Sequence, residues 1–128
     1  MTTSIAANPS DSILNSIKKV LGLEADDTSF DLDIVMHINT IIATLTQLGI
    51  GSTAGFYIVG STETWSDFLG VLADNKPDPR LLQVQSYIYL RVRFLFDPPD
   101  GRFSIASYEA QLKEFEWRIN LIAEGAFN

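Results

Sequence analysis

Ile105, Tyr108, Leu112, Phe115, Ile119 and Ile122 follow one another at intervals of 3, 4, 3, 4 and 3 residues. An α-helix is the regular structure that gathers such positions on one face, so the spacing predicts a helix over about 104–124. Ser104 is its expected cap, with Ser107 in the first turn. A seam of this length suits a helical bundle or a groove between chains. Glu109–Lys113 and Glu114–Arg118 are i,i+4 pairs in the favourable order, each worth only ~0.3 kcal/mol.

The same period appears twice more. Ile13, Leu14, Ile17, Val20 and Leu21 predict a short amphipathic helix at about 11–21, entered from Pro9 with a Ser10, Asp11 or Ser12 cap and stopped by Gly22 as C′ residue. Ile34, Ile38, Ile41, Leu45 and Leu48 form the stripe of a second helix, widened by Val35 and Ile42. Ser29 or Asp31 is its expected cap, Asp31 and Asp33 favour its positive end, and Gly49 closes it.

Residues 49–62 change character. Gly49-Ile-Gly-Ser-Thr-Ala-Gly55 reads as a hinge or flexible arm near 50–62. Phe56-Tyr-Ile-Val59 reads as one short extended or β segment that must find a partner edge. Ser61, Thr62 or Thr64 caps a brief helix carrying Trp65, Phe68 and Leu69, and residues 70–79 form a connector. Residues 80–96 fit two patterns. Leu82, Ile88, Val92 and Leu95 follow one helical face loosely, whereas Ile88, Leu90, Val92, Phe94 and Phe96 alternate with Tyr87, Tyr89, Arg91 and Arg93 as in a strand. The length of the segment favours helix. Asp97-Pro-Pro-Asp-Gly101 is a stop. The expected fold is mostly α: a small bundle of four to five helices with one extended segment near 56–59.

A chain of 128 residues with 46% hydrophobic and 20% charged residues makes one globular domain, 1–128, with a core of its own. It has no cysteine and one histidine, which excludes disulfides, thiolate zinc sites, iron–sulfur clusters, cysteine nucleophiles and His-rich metal sites. The start of the sequence lacks the basic and apolar regions of a signal peptide, and no apolar run approaches the ~20 residues of a membrane helix. A cytoplasmic protein, with no membrane partner, is expected. The net charge of −7 is concentrated in residues 1–75, which hold nine acids and two bases; residues 76–128 hold seven of each. Such a surface does not attract a phosphate backbone, but it suits one that DNA must pass without adhering.

Few residues suggest chemistry. His37, one helical turn after Asp33, has the spacing of a base and its orienting carboxylate, but no nucleophile motif accompanies it, so a helix-surface contact is the expectation. Asp26-Asp-Thr-Ser-Phe-Asp-Leu-Asp33 lacks the central glycine and terminal glutamate of a calcium loop. Gly49-x-Gly51 with Gly55 follows a helix and has no nearby lysine, unlike a phosphate cradle. Trp65 and Trp117, with Phe56, Tyr57, Phe68, Tyr87, Tyr89 and Phe127, are mostly core candidates, although aromatics also anchor interfaces. Tyr89, Arg91 and Arg93 form an aromatic–arginine patch.

Ser16-Ile-Lys-Lys-Val-Leu-Gly-Leu23, the isoleucine-rich second helix, Thr64-Trp-Ser-Asp-Phe-Leu69, Tyr87-Ile-Tyr-Leu-Arg-Val-Arg-Phe-Leu-Phe-Asp-Pro-Pro99 and Glu114-Phe-Glu-Trp-Arg-Ile119 together resemble the head–tail connector (adaptor) proteins of tailed bacteriophages. The resemblance runs from about residue 12 to 122. It implies a small helical subunit of a ring, often twelve-fold, that prolongs the DNA channel below the portal protein and receives the next neck or tail protein. It also implies that 87–96 is helical, that the location is the virion neck, and that neither catalytic residues nor a cofactor is needed. Genomic DNA would pass through without specific binding. The interface candidates are Phe56, Tyr57, Ile58, Val59, Trp65, Phe68, Tyr89, Arg91 and Arg93, with the 56–59 segment reaching a neighbour by strand addition. The alternative is another neck protein, a stopper or tail-end protein, usually richer in strand.

Overall fold

In the computed structural model, residues 11–70, 79–98 and 101–123 are described. The N-terminal stretch with Pro9 and Ser10, most of the 70–79 connector, part of the Asp97–Gly101 stop, and Phe127 lie outside them. Five helices occur among the described residues: α1 (Ile13–Val20), α2 (Asp31–Gln47), α3 (Trp65–Leu69), α4 (Pro79–Phe96) and α5 (Arg102–Ala123). No strand occurs among them; Ser12 and Thr64 form a lone antiparallel bridge.

α2 is the central pillar. Ile34, Ile38, Ile41, Ile42 and Leu45 are all fully buried, each contributing roughly 1.5–3 kcal/mol of apolar transfer free energy. α1 packs on α2 through Ile13, Leu14 and Ile17, and α4 packs on it through Val84, Tyr87, Ile88 and Val92. α5 lies against α4. The buried positions of α4 recur at 3 and 4 residues, so the apparent strand alternation of 87–96 is a helical stripe read in the wrong period. Leu82 and Leu95, expected on the buried face, are instead 44% exposed.

The helix ends follow from local chemistry. Ser12 caps α1 by accepting from the Asn15 N–H at 3.1 Å. α1 and α2 both end in paired backbone bonds that return from the C′ glycine and its successor. Leu23 N–H donates to Lys18 O at 2.9 Å and Gly22 N–H to Lys19 O at 3.1 Å; Ile50 N–H donates to Leu45 O at 2.9 Å and Gly49 N–H to Thr46 O at 3.0 Å. α3 starts in a capping box: Asp67 N–H donates to Thr64 Oγ1 at 3.2 Å and Thr64 N–H to Asp67 Oδ2 at 2.9 Å.

Two caps differ from expectation. The N-cap of α2 is Phe30, with no side-chain bond. Asp31 is drawn instead to Lys18, whose Nζ lies 2.8 Å from its Oδ1, and Ser29 N–H is taken by Asp27 Oδ1 at 3.1 Å. α5 begins at Arg102, directly after Gly101, so Ser104 sits inside the first turn.

Candidate interaction surface

The segment from Phe56 to Val59 alternates as an extended chain does: Phe56 is half-buried, Tyr57 exposed, Ile58 buried and Val59 exposed. Its backbone bonds go to side chains. Asn39 on α2 donates from Nδ2 to the Ile58 carbonyl at 2.9 Å and accepts the Ile58 N–H on Oδ1 at 2.8 Å. Glu63 accepts from Val59 N–H at 2.8 Å and from Gly60 N–H at 3.3 Å. Phe56 stacks on Phe68 at 5.3 Å between ring centroids. The segment is thereby held against α2, with Tyr57 and Val59 presented to solvent at 69% and 73% exposure.

Trp65 and Phe68 belong to the chain's own core. Trp65 is buried, and its indole Nε1–H donates to Ser16 Oγ on α1 at 3.1 Å. The backbone joins the same two elements: Ile13 N–H donates to Glu63 O at 3.0 Å and Trp65 N–H to Asp11 O at 3.2 Å. α3 and the entry to α1 therefore form one unit.

The aromatic–arginine patch divides over α4. Arg91 Nη1 donates to Tyr87 Oη at 3.1 Å, and Tyr87 O–H donates to Glu116 Oε2 at 2.9 Å, linking α4 to α5. Burial pushes the Tyr87 and Tyr108 phenols above the ordinary tyrosine value. Tyr108 stacks on Phe94 at 4.1 Å. Arg93 points elsewhere and donates to Tyr89 Oη at 3.0 Å, which raises the guanidinium pKa further. Of the nine residues named from sequence, Ile58, Trp65 and Phe68 are buried, Phe56, Tyr89 and Arg91 are half-buried, and Tyr57, Val59 and Arg93 are exposed.

Three features escaped sequence reasoning. Lys18 is fully buried; besides Asp31, its Nζ reaches the Ala25 carbonyl at 3.0 Å and fastens the loop between α1 and α2. Asn39 looks like an ordinary polar residue on a helix, and nothing local marks it as a backbone partner. Trp117, expected in the core, is 63% exposed. It lies about 200° around α5 from buried Ile119, at 100° per residue. The seam that predicts α5 is only partly covered: Ile119 is buried, Leu112 and Phe115 are half-buried, and Ile105 is 37% exposed.

His37 and Asp33 line an open groove of about 530 Å³ between the start of α2 and the end of α4. Among the described residues no group of three or more His, Asp or Glu side chains is placed to hold a metal ion, and no helix is long and apolar enough to cross a membrane.

A family model described as phage connector protein matches residues 13–126. No match was found among curated proteins or among solved structures. The family match covers nearly the whole chain, and the chain belongs to the phage connector protein family.

Proposed function

We propose that this connector protein is one subunit of a ring, of twelve copies by the expected count, between the portal protein and the tail. The ring prolongs the channel for viral DNA and gives the next neck or tail protein a platform. The observation that carries this reading is the family match over residues 13–126, on a helical body whose longest apolar seam is incompletely covered within the chain. Membership of a structural family of the virion implies a role without catalysis.

Charge supports the channel. Glu24, Asp26 and Asp33 are exposed in and just after the loop between α1 and α2, while Asp31 is matched by Lys18. Repeated around an axis, unmatched carboxylates would repel passing phosphates and keep DNA moving. Tyr57, Val59 and Arg93 are the sequence-named residues best exposed for contacts with neighbours. Ile58, Trp65 and Phe68 would support that surface from beneath. The helical content favours a ring component over the strand-richer stopper and tail-end proteins.

Imaging of purified particles tests the reading. Several copies around one axis between portal and tail are expected, and particles made without the protein should lose DNA or fail to join tails. DNA-filled, tailed particles formed without it would overturn the proposal.

A further inference from the structure

We infer that Trp117 of one copy, with Lys113 one turn away, seats in the groove between α2 and α4 of the next copy. This rests on the ring reading above and specifies a contact that would build it.

The apolar part of the groove lining is Leu21, Phe30, Leu95 and Phe96. Phe30 and Phe96 meet edge to face at 5.3 Å, and Phe30 and Leu95 are 43% and 44% exposed. Asp33, His37, Arg93 and Asp97 are its polar part. Arg93 donates to the Tyr89 hydroxyl and is also under the charge of Asp97, while neither Asp33 nor Asp97 makes a close ion pair among the described residues. Two carboxylates against one guanidinium leave the lining net negative. The fitting occupant is an apolar group with a cation beside it.

α5 carries such a group. Trp117 and Lys113 are both exposed and four residues apart, so they stand side by side on one face. Lys113 makes no ion pair among the described residues; Glu114 pairs with Arg118 at 2.6 Å, and Glu116 accepts from Tyr87. Ala110 and Ala106 continue the same face beyond Lys113 and add no bulk to it. Tryptophan in an apolar pocket is the side chain most often found to dominate an interface, and the groove has the volume of an ordinary ligand site.

Knob and groove cannot meet within one copy. α4 and α5 run antiparallel, with Phe94 on Tyr108 near one end and Tyr87 on Glu116 further along. Trp117 is therefore displaced by roughly 15 Å along the hairpin from the groove, at 1.5 Å per residue, and faces away from α4. Two different, complementary faces on one body join copies head to tail, the arrangement that closes into a ring when the rotation fits.

The native chain has no cysteine, so an introduced pair reports this contact alone. In particles carrying Trp117→Cys with Leu95→Cys, a short bis-maleimide should give a ladder of covalent multimers, and either single variant should give none. Monomer alone from intact particles overturns the contact while the ring reading stands; multimers from Trp117→Cys alone indicate a two-fold contact and also overturn it. Wild-type protein absent from particles overturns the ring reading instead. A charge exchange keeps the test decisive should the cysteine pair not assemble. Lys113→Glu should lower incorporation into particles roughly tenfold, and adding Asp97→Lys should restore it. Unchanged incorporation of the single variant, or no recovery in the double, overturns the inference.

Discussion

The carboxamide of Asn39 serves Ile58 as a neighbouring strand would: Nδ2 donates to its carbonyl at 2.9 Å, and Oδ1 accepts its N–H at 2.8 Å. A single side chain thus satisfies both backbone groups of a buried residue for which the described structure supplies no sheet. Replacing Asn39 leaves those groups unpaired beside the core. Asn39→Ala should cost about 2–4 kcal/mol, the penalty for two unmet buried partners. Asn39→Asp, equal in shape, sets a carboxylate oxygen against the Ile58 carbonyl in place of a donor and should cost at least as much as Asn39→Ala. Urea unfolding measures both; an Asn39→Ala midpoint equal to wild type would contradict this pairing.

Lys18 and Asp31 make a second prediction. The Lys18 ammonium is fully buried, whereas the Asp31 side chain keeps 29% exposure. Removing the acid strands a buried cation, and removing the cation strands only a partly solvated anion. Asp31→Ala should therefore destabilise by about 3 kcal/mol, and Lys18→Met, which keeps the volume, by about 1 kcal/mol. Equal losses in the two variants would mean that Lys18 acts chiefly as packing.

The tyrosines report on the α4–α5 junction. Tyr87 and Tyr108 are held above their ordinary value by burial. Their folded pKa values are raised, so the stability they confer is complete below the unfolded tyrosine value near 10.0 and is lost as pH rises through the folded values. Ultraviolet titration should show Tyr87 and Tyr108 ionising above the ordinary tyrosine value. In Tyr87→Phe one late step should vanish. No ionisation above the ordinary value in the folded protein would contradict the burial of both phenols at this junction.

The helices were legible wherever burial and period coincide. The α2 stripe could be read because Ile34, Ile38, Ile41 and Leu45 are all buried on one side. Gly22 and Gly49 mark helix ends because the return bonds need a C′ residue of positive φ. α4 was harder, since apolar and polar letters alternate over 87–96 while burial follows Val84, Tyr87, Ile88 and Val92. Long-range polar partners were not legible at all. Asn39 and Ile58 are 19 residues apart, Trp65 and Ser16 are 49 apart, and neither sequence neighbourhood carries a signal of the other. Trp117 misled for a related reason: composition ranks a tryptophan as core, and only the direction of α5 turns it outward.

Gly51 lies in the segment that the sequence marks as a hinge, and it packs closely on the core there. Its φ is +82°, and a Cβ placed there would lie 2.8 Å from Cε1 of Phe68. Phe68 cannot easily give way, because it is buried and stacked on Phe56. Gly55 has a similar φ of +91° but nothing within 4 Å of an added Cβ. Gly55→Ala should thus lose only the backbone preference, about 1 kcal/mol, whereas Gly51→Ala should lose about 2–4 kcal/mol once the overpacking is included. Because both glycines lie in one loop, the difference between the variants isolates the contact with Phe68. Equal unfolding midpoints for the two would show that the 50–62 segment yields without disturbing the aromatic pair beneath it.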